Sequence, residues 1–99
     1  MPLFIVNARD KTDSLHVRMA TRQTHLEWAV GFKDKIAMAG PVFLDDGTTM
    51  AGSTFVISFD TLSEARNWAA NDPYAVAGLF DRVEVMPFNW SIGDGKPAQ

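Results

Sequence analysis

No cysteine occurs in the 99 residues. That excludes a disulfide scaffold, a thiol nucleophile and any thiolate metal site. Histidine is scarce as well, with His16 and His25 the only two. No apolar run approaches the ~18 residues of a membrane-spanning helix. The apolar part of "MPLFIVNARD" is short and lacks a basic flank, so it reads as a strand rather than a secretory signal. A basic excess is also missing: nine Lys and Arg stand against twelve Asp and Glu, a net charge of −3. General nucleic-acid and acidic-membrane binders carry the opposite balance. There is no phosphate-binding glycine loop, no dinucleotide fingerprint, no repeat and no low-complexity tract. Asp45-Asp46-Gly47 lacks the flanking spacing of a calcium loop and reads as a turn. Neither a metal nor a cofactor is expected.

What is present describes one globular domain, 46% hydrophobic, 11% aromatic and 21% charged. The composition leads us to expect a cytoplasmic protein with no nucleic-acid or membrane partner. The domain is expected to span residues 1–90. The remainder, 91–99, is small, polar and rich in Gly and Pro ("SIGDGKPAQ"), so it is expected to be a flexible tail.

Along the chain, "PLFIVNA" (Pro2 to Ala8) is apolar on both faces and β-branched, the mark of a central strand. After the polar loop "RDKTDS", with Asp13 or Ser14 as N-cap, a helix is predicted from Leu15 to about Phe32. Ile36 to Phe43 reads as a second strand broken at Gly40-Pro41, followed by an Asp46-Gly47 hairpin signal. Gly52 to Phe59 is a third strand. Thr61 and Glu64 stand at capping-box spacing and open a second helix. Asp72-Pro73 starts one further turn, closed by Gly78, and Leu79 to Phe88 is the last strand. The order is the ferredoxin-like βαββαβ of an α+β domain: an antiparallel sheet with two helices on one face. The first and third strands are apolar on both sides. The second sheet face therefore calls for cover, and a homodimer packed sheet to sheet supplies it.

The stretch "RMATRQTHLEW" carries the chemistry. At about 100° per residue, Arg18, Arg22 and His25 fall inside the arc bounded by Leu15, Met19 and Leu26 on one side and Val17, Trp28 and Phe32 on the other. His16, Gln23 and Glu27 form the wet face. Two readings account for a basic row in a core-facing stripe. The stems of the arginines cover apolar surface at a rim and send their heads to water, with His25 a hydrogen-bonded core residue. Or a pocket lies between helix and sheet, where Arg18 and Arg22 hold an anionic ligand and His25 moves a proton. Asp72 is explained as the N-cap of the turn at Pro73, and a carboxylate there can also orient an imidazole. Ser53, at the entry to the third strand, is a candidate hydrogen-bond donor to a ligand.

These pieces, "DK-DSL--R---R--HL" in the first half and "DPY--AGLF--V-V-PF" in the second, resemble the YCII-related (YciI-like) family of small bacterial proteins, from Leu3 to about Phe88. The resemblance implies a dimeric α+β barrel of ferredoxin-like protomers with a His-Asp pair in the active site. The family histidine falls on His25, the family aspartate on Asp72, and family glycines on Gly40 and Gly52. Most members have no assigned reaction; a few relatives remove chloride from chlorinated, hydroxylated aromatics with acid–base help. The resemblance leaves two functions open. One is an enzyme in which His25 and Asp72 act on a small anionic or phenolic ring by elimination or isomerisation, with Arg18, Arg22, Gly40 and Ser53 at the substrate. The other is a non-catalytic dimer that binds a small ligand in the same pocket.

Overall fold

The computed structural model describes residues 2–96. Seven elements follow in order: β1 (Leu3–Asp10), α1 (Leu15–Val30), β2 (Ile36–Phe43), β3 (Met50–Ser58), α2 (Leu62–Ala70), α3 (Pro73–Val76) and β4 (Phe80–Phe88). The four strands form one antiparallel sheet in the order β2-β3-β1-β4. This is the ferredoxin-like arrangement. No helix among the described residues is long and apolar enough to cross a membrane.

Strand alternation decides which side is the core. Phe4 and Val6 of β1, Phe55 and Ile57 of β3 and Val85 of β4 point to one face. There they meet Ala65, Trp68 and Ala69 of α2, with Trp28 and Phe32 of the α1 end packed alongside. The helices thus share one face of the sheet. The core is aromatic: Trp28 stacks on Trp68 at 4.7 Å, and Phe55 meets Trp68 edge-on at 5.0 Å. Such pairs contribute about 0.5–1.5 kcal/mol each beyond burial.

Several boundaries differ from the sequence reading, each for a local reason. β1 runs on to Asp10 because it lies between two strands that continue to pair with it. β2 is not broken at Gly40-Pro41; Gly40 pairs with Thr54 and Pro41 with Ser53. As an edge strand, β2 accommodates a proline that has no N–H to give. Its irregularities lie between Ile36 and Met38 and between Val42 and Phe43. α1 stops at Val30, and Gly31 follows as its C-cap. Ser14 is the N-cap, but its hydroxyl donates to Thr12 O and leaves the cap to its backbone. Thr61 caps α2 as expected, accepting from the Glu64 N–H at 3.1 Å. Gly52 must be glycine, since a Cβ there would strike the Ala8 carbonyl oxygen. At the chain end, Trp90 Nε1 donates to Ile92 O at 2.9 Å, and the ring covers Gly95. Residues 97–99 of the expected flexible tail lie outside the described residues.

The largest departure is on α1. Leu15, Met19 and Leu26 were expected to be core and are 43%, 52% and 40% exposed. The two buried residues of the helix are Arg18 and His25. Only the C-terminal end of α1 reaches the aromatic core; the rest stands over β2 and β3 with a gap beneath it.

Candidate active site

That gap is a cavity of about 220 Å³, lined from above by Arg18, Arg22, His25 and Leu26, and from below by β2 and β3. A wider groove of about 540 Å³ runs beside β4, floored by Ala69, Ala70 and Val85. It has no histidine and no buried polar group, whereas Arg18, His25 and Ser53 line the smaller cavity. Four polar or charged residues are buried among the described residues, Arg18, His25, Ser53 and Asp72. Together they form two networks on the cavity wall.

The first is built on Arg18. Its Nε donates to Asp10 Oδ2 at 2.7 Å and its Nη2 to Asp10 Oδ1 at 2.9 Å, a bidentate pair. Nη2 also donates to Ser53 Oγ at 3.0 Å. Burial works against the guanidinium charge, but the hydrogen bond and charge of Asp10 outweigh it, and the Arg18 pKa is raised. Arg18 is therefore neutralised from inside the protein. Arg22, one turn on, is exposed at the cavity and makes no ion pair among the described residues. The sequence treated the two arginines as one clamp, and the structure separates them.

The second network is built on His25. Its Nδ1 lies 2.8 Å from Asp72 Oδ1. The same oxygen accepts the Tyr74 N–H at 2.9 Å, which is the N-cap bond of α3. Asp72 thus performs the structural task expected of it and holds His25 as well. A carboxylate only accepts, so the bonded Nδ1 carries the proton and the neutral ring keeps a lone pair on Nε2. Nε2 is not among the sealed, unpartnered polar atoms, a condition found only at Trp68 Nε1 among the described residues. Around the imidazole stand Tyr74, stacked at 4.0 Å, and Trp28 and Phe55, at 5.9 and 6.0 Å.

Ser53 lines the cavity with its hydroxyl on Arg18. Gly40 also lines it, but with backbone: its register opposite Thr54 would send a side chain to the far face of the sheet, where a Cβ meets nothing within 4 Å. Two residues were missed. Asp10 was read as loop, although Phe4, Val6, Ala8 and Asp10 share the alternation of one strand face, and that alternation points its carboxylate inward. Tyr74 was read only as part of a turn. No group of three or more His, Cys, Asp or Glu that could hold a metal occurs among the described residues.

A family model of the YCII-related domain matches residues 2–89. The chain belongs to the YCII-related family. Among its relatives, Protein YciI of Escherichia coli O6:H1 is 36% identical over 93 residues, covering 87% of this chain and 95% of that protein. An uncharacterized protein of Haemophilus influenzae is 34% identical over 92 residues, 86% of this chain and 94% of its own length. Among solved structures, 5-chloro-2-hydroxyhydroquinone dehydrochlorinase (TftG) of Burkholderia phenoliruptrix, in complex with 2,5-dihydroxybenzoquinone, superposes with a TM-score of 0.80. The two are 29% identical, with 96% of this chain and 99% of that one covered. An antibiotic biosynthesis monooxygenase, 7% identical with a TM-score of 0.54, shares the fold alone over 93% of this chain and all of its own.

Proposed function

We propose that this protein is a small acid–base enzyme in which His25, oriented by Asp72, moves a proton on one hydroxylated or anionic ring. The observation that carries the reading is the His25–Asp72 bond at 2.8 Å, with the imidazole in the wall of a cavity of about 220 Å³. A dry cavity of about 150 Å³ holds one benzene, so this space suits one substituted ring. Nε2 serves as the general base, Asp72 fixes the tautomer and stabilises the imidazolium that forms, and Arg22 supplies positive charge at the mouth. Arg18, Ser53 and the Gly40 backbone shape the wall against which the ring lies. The likeness to a dehydrochlorinase acting on a hydroxylated, chlorinated ring supports elimination as the reaction type.

We further propose that the working form is a homodimer joined through the sheet face away from the helices. That face carries Ile5, Met38, Val42, Val56, Met86 and Phe88 by register, with an Asn7–Thr54 hydrogen bond of 3.0 Å among them. A stable pair is expected to bury more than about 1,200 Å² in total. Met86→Glu should give a monomer by sedimentation; a monomeric parent protein at micromolar concentration would refute the arrangement.

The reaction is tested by incubating the protein with 5-chloro-2-hydroxyhydroquinone and related halogenated, hydroxylated rings and measuring chloride release. Turnover is expected to vanish in His25→Ala. Equal rates with the parent, the variant and buffer alone would leave a ligand-binding protein instead.

A further inference from the structure

Tyr74 is the chain's one tyrosine, and it is 2% exposed. Three of its contacts belong to the two networks. Its N–H binds the Asp72 oxygen that holds His25, its ring stacks on the imidazole at an interplanar angle of 17°, and the Arg18 Cζ lies 4.5 Å from its ring centroid. None of these needs a hydroxyl; phenylalanine would make all three. The Arg18 guanidinium also bonds the hydroxyl, and since a guanidinium only donates, this uses the phenol oxygen as acceptor. The O–H hydrogen still needs an acceptor, because leaving it unpaired out of water costs free energy. The hydroxyl is not sealed and idle, since Trp68 Nε1 alone has that status among the described residues. It sits at the cationic end of the cavity, where the charges of both Arg18 and Arg22 act on it.

We propose that the Tyr74 hydroxyl is the hydrogen-bond donor to a ligand oxyanion in this cavity, and that the site selects planar rings bearing two conjugated oxygens. One oxygen faces His25 and the other faces Tyr74. The inference rests on the acid–base reading above and adds the group that receives the displaced charge. As His25 acts, the O–H bond of one ring hydroxyl breaks and its proton forms a bond to Nε2. The electron pair stays on the ligand and spreads to the conjugated oxygen. There the Tyr74 O–H donates a hydrogen bond and keeps its proton, while Arg22 adds its charge. Burial raises the Tyr74 pKa, and Arg18 and Arg22 offset only part of that effect. The phenol stays neutral and remains a donor, as a preorganised oxyanion site requires. Arg18 is turned to other partners: its Nε and Nη2 hold Asp10 and Ser53, and it also bonds the Tyr74 hydroxyl, which it supports as a donor.

The test uses 2,5-dihydroxybenzoquinone and phenol as probes, titrated against the parent, Tyr74→Phe, His25→Gln and Arg22→Met. Tyr74→Phe is expected to weaken the quinone by about tenfold or more, the size of one hydrogen bond to a charged group. Its binding of phenol and its unfolding midpoint should be unchanged. A second readout does not depend on any variant folding. Because Tyr74 is the sole tyrosine, 3-fluorotyrosine labelling gives a single fluorine resonance, which should move as the quinone binds. Equal quinone affinity in Tyr74→Phe and the parent, with a fluorine signal unmoved at saturation, overturns the role of Tyr74. If His25→Gln and Arg22→Met still weaken binding in that case, the acid–base reading stands without it. A parent that binds no quinone, or binds it equally in all four proteins, overturns both.

Discussion

Asp10 and Asp72 both reach α1 from outside it, and each meets a buried basic side chain there, at 2.7 and 2.8 Å. The distances are alike, and so is the burial. What differs is what each base has left over. A guanidinium has no lone pair, so with Asp10 and Ser53 on its Nε and Nη2 the Arg18 end of the cavity can still donate hydrogen bonds but cannot take a proton. An imidazole bonded through Nδ1 keeps a lone pair on Nε2, so the His25 end is an open base. Two turns of one helix thus carry the same ionic geometry to two ends, one that can only donate and one that keeps a lone pair. A buried pair of charges does not by itself mark a site for proton transfer; the proposed role of His25 rests on a lone pair left free beside the cavity.

The contrast is broken most forcefully at Asp10. Asp10→Ala leaves the Arg18 charge buried and alone, and breaking such a pair costs about 3–5 kcal/mol. Urea unfolding should show that loss. A loss below about 1 kcal/mol would mean that Asp10 does not hold the wall. At the other end the cost should fall on activity. Asp72→Asn keeps an acceptor for the Tyr74 N–H and is itself a good N-cap, so stability should drop by about 1 kcal/mol or less. Turnover should fall by about 10²–10⁴, because an amide no longer enforces the Nδ1–H tautomer. Nitrogen NMR of the His25 ring should show mixed tautomers in the variant; a single unchanged tautomer would remove the proposed role of Asp72. Smaller still is Arg22→Met. The side chain is exposed and unpaired among the described residues, so unfolding should shift by no more than about 0.5 kcal/mol. Affinity for an anionic ring should fall about tenfold. Equal affinity would return the anion-holding role to Arg18.

The same contrast explains what could be read before folding. Alternation and turn residues place all four strands, because burial on a sheet follows a period of two and the turns at Asp46-Gly47 and Asp72-Pro73 are local chemistry. The helical wheel also places Arg18 and His25 inward. It misjudges Leu15, Met19 and Leu26, since a wheel gives a direction but not whether anything lies there. α1 meets the aromatic core at its C-terminal end, where Trp28 stacks on Trp68, a contact 40 residues apart in the chain. The partner of Arg18 was hidden for a similar reason. Asp10 belongs to a strand that extends two residues past its apolar run, and only pairing, with β3 as far as Arg9 and with β4 at Asp10, carries it there. Tyr74 was hidden by its neighbours: Asp72 and Pro73 explain the turn so completely that the next residue asks for nothing.

A third carboxylate sharpens the comparison with the smallest effect. Asp46 has no basic partner among the described residues and is fully exposed. It accepts the N–H groups of Thr48 and Thr49 at 2.9 and 2.8 Å, together with the Thr49 hydroxyl. Those bonds, the Thr49 hydroxyl foremost, hold its pKa at about 2 against an ordinary 3.8. The folded value is lowered, so the turn is favoured above the unfolded value and loses that support as pH falls from 3.8 towards about 2. Water screens an exposed group, so the response should stay within the β2–β3 hairpin. The Thr48 and Thr49 amide shifts should titrate with a midpoint near 2, and Asp46→Asn should abolish the step. A midpoint at the ordinary value would mean that the hydroxyl and amides do not grip this carboxylate.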